Sequence, residues 1–105
     1  MYQDFGPQLK MEFFNASKFA DLVTASGAKY LVFTSKHHDG FVNFNSSYAY
    51  GWNSMAVGPK KNVILELKEA FQAKYPDFHF GIYYSLCEWY NPLYMNDKSA
   101  NYTTR

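Results

Sequence analysis

Residues 29–41 read KYLVFTSKHHDGF, an apolar run that passes directly into a cluster of charged and polar side chains. The run is rich in β-branched and aromatic residues, which predicts a strand over 29–35 that is buried on both faces. Polar groups at the end of a buried strand cost desolvation free energy unless hydrogen bonds satisfy them. We therefore expect the Lys-His-His-Asp cluster at 36–39 either to form a core network or to bind a ligand.

Two helices flank this strand in the sequence. Asn15 is a good N-cap for a helix over 16–26, and Asn62 is one for a helix that starts at 62 or 63 and ends at 74. Apolar residues recur at helical spacing in both segments. Tyr75-Pro76 ends the second helix, because the residue before a proline is disfavoured in the α region.

A second aromatic strand, FHFGIYYSL, is predicted over 78–86, and the segments 36–61 and 90–105 are predicted to be loops. Alternating helices and strands are typical of a parallel sheet with right-handed crossovers. Two parallel strands and two helices cannot complete such a sheet, since an edge and a face stay uncovered. We expect residues 1–105 to be a fragment of a larger α/β fold.

The composition excludes several classes of partner. The chain has 105 residues with a formal net charge of +1 and 48% hydrophobic residues. This near-neutral balance gives no reason to propose binding to nucleic acid or to a membrane surface. No apolar run approaches the roughly 20 residues of a membrane span. The N-terminus lacks a signal-peptide core, so we expect Met1 to be an internal methionine or a misplaced start.

Cys87 is the only cysteine, so no internal disulfide can form. Three glycosylation sequons begin at Asn15, Asn45 and Asn101. Coincidence in a chain rich in Asn and Ser would also produce such triplets. The sequons favour a secreted or lysosomal location.

Ligand sites of parallel sheets lie at the carboxyl ends of the strands. The cluster SKHHDGF (35–41) follows the first strand and SLCEWY (85–90) follows the second, so we expect them to face each other across one rim. His79 begins the second strand, roughly 20 Å from that rim at about 3.3 Å per residue, and we exclude it from the site.

Three interpretations compete for His37 and His38. A metal site fits poorly, because neighbouring strand residues point to opposite faces and no third ligand accompanies them at a suitable spacing. Two structural histidines satisfied by the core are a second interpretation. Hydrogen bonding to a polar ligand fits best, since imidazole both donates and accepts, as sugar hydroxyls require.

The segment GAKYLVFTSKHHDGF (27–41) resembles the alpha-L-fucosidases of glycoside hydrolase family 29. That family carries G-A-K-Y, a short apolar strand and K-H-H-D/E-G-F. The resemblance continues, in the family's order, through DFGP (4–7), WNS (52–54), VGPKKN (57–62) and GIYYSLCEWYNPLY (81–94).

The resemblance implies part of the (β/α)8-like (TIM-type) barrel of a retaining exo-glycosidase that removes terminal L-fucose from glycans and needs no metal or organic cofactor. It implies that His37 and His38 bind the fucose hydroxyls and that Tyr83 is an active-site tyrosine. Tyr84 is the alternative, because strand alternation lets only one of the two face the barrel interior. Trp52 is expected either to form part of the pocket wall or to be buried for packing.

The rest of the rim is expected to support these residues. Lys36 and Asp39 are expected to pair or to hydrogen-bond locally and so fix the histidines, rather than to touch substrate. Gly40 is expected to supply a backbone conformation that other residues resist. Retaining glycosidases need two carboxylates about 5 to 5.5 Å apart. The family's W-x-D-G nucleophile block is absent, so we expect neither catalytic carboxylate in this chain and interpret Glu88 as a supporting residue.

Two other functions remain open at this point. A non-catalytic fucose-binding remnant or pseudoenzyme would keep the histidines without the carboxylates. A parallel-sheet domain that binds a phosphorylated ligand is weaker, because no glycine-rich loop opens a helix. A homo-oligomeric parent protein is compatible with the sequence.

Overall fold

The computed structural model describes residues 1–49 and 51–103. Two strands, β1 (Tyr30–Lys36) and β2 (His79–Tyr84), alternate with helices α1 (Ala16–Ala25) and α2 (Val63–Lys74). A third helix, α3, covers Pro92–Ser99, and short 3-10 segments cover Tyr2–Gln8 and Ser47–Ala49. Among these residues, none of the helices combines the length with the apolar character that a membrane span requires.

The helix boundaries follow from the capping residues. The side chain of Asn15 accepts a hydrogen bond from the backbone N–H of Lys18, and that of Asn62 accepts one from Leu65. Each cap satisfies a backbone donor that the first helical turn leaves free. Gly27 follows α1 with a φ of 86°, a left-handed conformation that costs glycine little. Both predicted helices are confirmed.

The two strands pair in parallel, as predicted, with Tyr30 opposite His79 and Thr34 opposite Tyr83. The register shifts between Thr34 and Lys36, where β1 carries an irregularity. An α/β arrangement with two parallel strands is therefore confirmed.

The core lies between one face of this sheet and the two long helices. Ala20 of α1 packs with Val63, Leu67 and Phe71 of α2, and all four are at most 1% exposed. Aromatic side chains just before and within β2 cover this cluster: the ring of Phe78 stacks 4.5 Å from that of Phe71, and Phe80 packs beside it. This packing holds the carboxyl ends of both strands at one edge.

The prediction that the first strand is buried on both faces is wrong for this structure. Tyr30 and Val32 are 69% and 55% exposed, whereas Leu31 and Phe33 pack against the core. The reason is geometric: both long helices lie on the face that carries Leu31 and Phe33, and no described residue covers the other face enough to bury it.

The prediction of a loop over 90–105 is also wrong in part, because α3 occupies Pro92–Ser99; residues 104 and 105 lie outside the described residues. The side chain of Asn91 caps this helix through the N–H of Leu93, and Pro92 supplies the φ that a first turn requires. None of its residues is buried. The helix therefore leaves no apolar stripe by which sequence periodicity could reveal it.

Candidate functional site

The two polar clusters adjoin at the carboxyl edge of the sheet. The backbone N–H of Ser85 donates to the carbonyl of Lys36 over 3.1 Å, and the N–H of Trp89 donates to the carbonyl of His38 over 2.8 Å. The residues after β1 and those after β2 therefore form one continuous rim. His79 lies at the opposite end of the sheet, where it pairs with Tyr30.

His37 and His38 both lie in the turn after β1, with ring centroids 4.3 Å apart in an edge-to-face arrangement. The expectation that strand alternation separates them is wrong, because β1 ends at Lys36 and alternation does not continue into a turn. His37 is exposed and His38 is partly buried. Within residues 1–49 and 51–103, no group of three His, Cys, Asp or Glu side chains could hold a metal ion.

The two adjacent tyrosines occupy different environments. The ring centroid of Tyr83 lies 5.9 Å from that of His37, whereas the ring of Tyr84 lies 4.8 Å from the ammonium of Lys36. Both are 45% exposed. The structure thus places Tyr83 beside the histidine pair and Tyr84 against the cation of Lys36.

Lys36 is a buried cation at the base of the rim, with only 2% of its surface exposed. Its ammonium donates to the carbonyl of Ser85 over 2.7 Å and pairs with the carboxylate of Glu88 at 3.1 Å. A buried charge costs several kcal/mol unless it is paired and hydrogen-bonded. Glu88 supplies that pairing from a half-exposed position.

Asp39 and Trp52 lie on the other side of the histidine turn. Asp39 accepts a hydrogen bond from the hydroxyl of Tyr2 over 3.1 Å, and its carbonyl accepts one from Nε1 of Trp52 over 3.2 Å. Gly40 follows with a φ of 80°, so its predicted backbone role is confirmed. Partial burial, together with the hydrogen bond to Asp39, raises the pKa of the Tyr2 hydroxyl above its usual range.

Trp52 separates two open cavities. One, of about 410 Å³, is lined mostly by apolar side chains, among them Tyr2, Phe5 and Phe41, and also by Asp39. The other, of about 230 Å³, is more polar and is lined partly by Asp39 and Glu88. Trp52 is thus both a packing residue, with its ring 5.0 Å from that of Phe41, and a cavity wall. The histidines line neither cavity.

Three contacts of the rim are absent from the sequence prediction. Oγ of Ser85 lies 2.6 Å from Nδ1 of His38, the ring of Trp89 stacks 4.4 Å from that of His38, and Tyr2 reaches Asp39. The parallel arrangement brings SLCEWY to the histidines, and this signal could have pointed to Ser85 and Trp89. The contact of Tyr2 carries no such signal, because Tyr2 lies in a short 3-10 segment ahead of α1 and does not follow either strand.

Comparison with known proteins gives a consistent result along the chain. The family model described as alpha-L-fucosidase matches residues 1–105. Human plasma alpha-L-fucosidase is 47% identical over 104 residues, which cover 99% of this chain and 22% of that protein. Human tissue alpha-L-fucosidase is 44% identical with the same coverage. The chain thus spans about a fifth of the length of the curated relatives it matches.

Solved structures agree with the sequence comparison. A Thermotoga maritima alpha-fucosidase in complex with fucose superposes with a TM-score of 0.79 at 34% identity, over 85% of this chain and 20% of that one. The alpha-L-fucosidase AlfC from Lactobacillus casei, in complex with alpha-L-fucose product, superposes with a TM-score of 0.78 at 34% identity. That match covers 87% of this chain and 28% of AlfC.

Proposed function

Because this chain belongs to the alpha-L-fucosidase family, we propose that it forms part of the catalytic domain of a retaining exo-glycosidase that releases terminal alpha-L-fucose from glycans. The observation that carries this proposal is the convergence of His37, His38 and Tyr83 at one rim. Two imidazoles and a phenol supply both donors and acceptors, as a sugar with several hydroxyls requires.

In this proposal the two strands belong to a (β/α)8-like barrel, and the exposed face of the sheet is the side that points to the barrel interior. Tyr30 and Val32 lie on that face, and Tyr83 stands opposite Thr34 there. Active sites of such barrels lie at the carboxyl ends of the strands, where the histidine pair is found. Trp52 serves as a wall for the parts of the glycan beyond the fucose.

The catalytic carboxylates come from outside this chain in the same proposal. A retaining mechanism needs a nucleophile and an acid/base about 5 to 5.5 Å apart. Asp39 and Glu88 are the carboxylates of this rim, and each is already engaged, with Tyr2 and with Lys36 respectively. The role of this chain is therefore to bind and orient the sugar.

Substitution of the histidines tests this function in a full-length protein that carries the chain. We expect His37→Ala and His38→Ala each to lower kcat/KM for an aryl alpha-L-fucoside about tenfold, the loss of one hydrogen bond to the sugar. His79→Ala is the matched control, since this exposed histidine lies at the other end of the sheet. Unchanged kinetics for both rim variants, or an equal loss for His79→Ala, would contradict the proposal.

The engagement of both rim carboxylates also favours one alternative, a fucose-binding protein without catalysis. Titration calorimetry with L-fucose, set beside the release of the aryl leaving group, separates the two functions. Binding with turnover supports the glycosidase, and binding without turnover supports the alternative.

A secreted or lysosomal location is part of the proposal. Asn15, Asn45 and Asn101 are all exposed, and the relatives include proteins named plasma and tissue alpha-L-fucosidase. We expect enzymatic removal of N-glycans to increase the gel mobility of the protein expressed in a eukaryotic host. In the triple variant Asn15→Gln/Asn45→Gln/Asn101→Gln, enzymatic removal of N-glycans should change the gel mobility less than it does in the wild type.

A further inference from the structure

Ser85 places one hydroxyl between two polar partners at the base of the rim. It follows β2 and is 3% exposed. Its Oγ lies 2.6 Å from Nδ1 of His38 and 3.2 Å from the backbone carbonyl of Cys87. With so little solvent at this side chain, these two contacts determine how the hydroxyl uses its single proton.

The Ser85 hydroxyl has one proton to donate, and the partner that receives it decides the tautomer of His38. A carbonyl oxygen only accepts, so the contact with Cys87 requires that Ser85 donate to it. The hydroxyl oxygen can then only accept a hydrogen bond from the imidazole, so Nδ1 must carry the ring proton. In the opposite tautomer Ser85 would donate to Nδ1, and the carbonyl of Cys87 would lose this donor.

We propose that Ser85 is a positioning residue that holds His38 in the Nδ1–H tautomer, so that Nε2 is a hydrogen-bond acceptor for a ligand hydroxyl. This proposal rests on the proposed function in one respect, the contact of His38 with the sugar. Within the described residues, Nε2 of His38 has no hydrogen-bond partner. The hydrogen bond at one imidazole nitrogen thus sets the chemistry of the other.

Lys36 fixes Ser85 from two sides. The N–H of Ser85 donates to the carbonyl of Lys36 over 3.1 Å, and the carbonyl of Ser85 accepts from the Lys36 ammonium over 2.7 Å. Glu88 neutralises this buried ammonium at 3.1 Å. The ion pair thereby holds the backbone of Ser85, and with it the hydroxyl that faces His38.

Trp89 fixes the imidazole itself. Its indole stacks on the His38 ring with centroids 4.4 Å apart and planes inclined by 19°. Its backbone N–H donates to the carbonyl of His38 over 2.8 Å. Stacking limits tilting of the ring, and the Ser85 contact defines its rotation about the side-chain axis. His38 therefore presents Nε2 in one orientation before a ligand arrives.

We expect Nε2 of His38 to select for a ligand group that donates a hydrogen bond to it. A sugar hydroxyl can donate to Nε2, whereas an ether oxygen or a fluorine at the same place cannot. Analogues of L-fucose in which single hydroxyls are replaced by fluorine, compared by their dissociation constants, report this without the inductive effect of fluorine on glycoside cleavage. We expect one of them to bind wild-type protein about tenfold more weakly than L-fucose does, and to lose less with Ser85→Ala.

Nitrogen NMR of ¹⁵N-histidine-labelled full-length protein tests the tautomer without relying on activity. The His38 signals are assigned by their disappearance in His38→Gln. At a pH where the imidazole is neutral, we expect wild type and Ser85→Thr to show a protonated Nδ1. We expect Ser85→Ala to show a mixture of tautomers and about tenfold lower kcat/KM, which Ser85→Thr restores.

A protonated Nε2 in the wild type would overturn the proposal, as would an unchanged tautomer in Ser85→Ala. The wild-type spectrum alone decides the first point even if the alanine variant fails to fold. If the protein lacks fucoside turnover while Nδ1 is protonated, the proposed function fails and the tautomer assignment stands.

Discussion

At the scale of single residues, Lys36 shows how a charged side chain can be accommodated in the core beneath the rim. Its ammonium is almost fully buried, yet it does not point to the open side of the rim, because it bonds to Ser85 and Glu88 instead. The cost of burying this charge is offset by an ion pair and a hydrogen bond. The residue next to the histidines in sequence is therefore held inside the rim by Ser85 and Glu88.

Glu88→Gln tests the charge balance at this position. We expect it to lower the free energy of local opening of β1 by about 1–3 kcal/mol, less than for a fully buried pair, because Glu88 is half-exposed. Hydrogen–deuterium exchange of the β1 amides in the full-length protein measures this change. The double variant Lys36→Met/Glu88→Gln should recover part of the loss, since it removes the unpaired cation.

The same variant separates support from catalysis. We expect Glu88→Gln to keep kcat within about tenfold of wild type. A loss of many thousandfold would mean that Glu88 is one of the catalytic carboxylates.

At the scale of elements, α1 and α2 are joined at their solvent edge as well as through the core. The ammonium of Lys74 donates to both carboxylate oxygens of Asp21 over 2.8 Å, and the hydroxyl of Tyr75 donates to one of them over 2.8 Å. The hydrogen bond from Lys74, with the one from Tyr75, holds the pKa of Asp21 below its usual range. The hydrogen bond between Tyr75 and Asp21 also raises the pKa of the Tyr75 hydroxyl.

This contact predicts an acid-dependent stability of the helix pair. Folding lowers the pKa of Asp21, so its ionised carboxylate stabilises the helix pair above the unfolded pKa of about 3.9. This stabilisation is lost as the pH falls through the lower pKa of the folded state. We expect Asp21→Asn to speed amide exchange in α1 at pH 7, with the difference from wild type closing below about pH 4.

Glu69→Gln is the matched control for this test, since Glu69 is an exposed carboxylate of α2 with no partner among the described residues. It should leave the exchange of α1 unchanged at every pH. A difference between Asp21→Asn and wild type that persists at low pH would contradict the electrostatic explanation.

At the scale of the whole molecule, one face of the sheet lacks a cover within the described residues. Tyr30, Val32 and Tyr83 are each about half exposed or more. Exposed apolar surface of this kind marks an interaction site or an aggregation liability. We therefore expect the 105-residue chain, expressed alone, to bind a hydrophobic dye and to aggregate more readily than a full-length protein that carries it.

The isolated chain is also expected to be inactive. Assay of residues 1–105 with an aryl alpha-L-fucoside should detect no leaving group above background, whereas the full-length protein should release it. Turnover by the isolated chain that Asp39→Asn or Glu88→Gln abolishes would contradict the assignment of the catalytic carboxylates to another segment.

Local sequence patterns were sufficient for the elements that local physics controls. The caps Asn15 and Asn62 and the proline after Tyr75 act on their own helices, so both helices could be predicted within one residue at each end. The parallel pairing followed from the alternation of helices and strands. Helix α3 could not be found by its period, because it buries no residue.

The order of helices and strands, the shared rim and the residue types that gather there can all be read from the amino-acid sequence. Three features emerge only from the folded chain: both histidines leave the strand together, Lys36 pairs with Glu88, and Ser85 contacts Nδ1 of His38. The reason is that capping and periodicity act over a few residues and can be read along the chain. The contacts of the buried Lys36 ammonium and of the His38 ring nitrogen join residues nearly 50 positions apart in the sequence. They depend on which partner the packed backbone brings within about 3 Å.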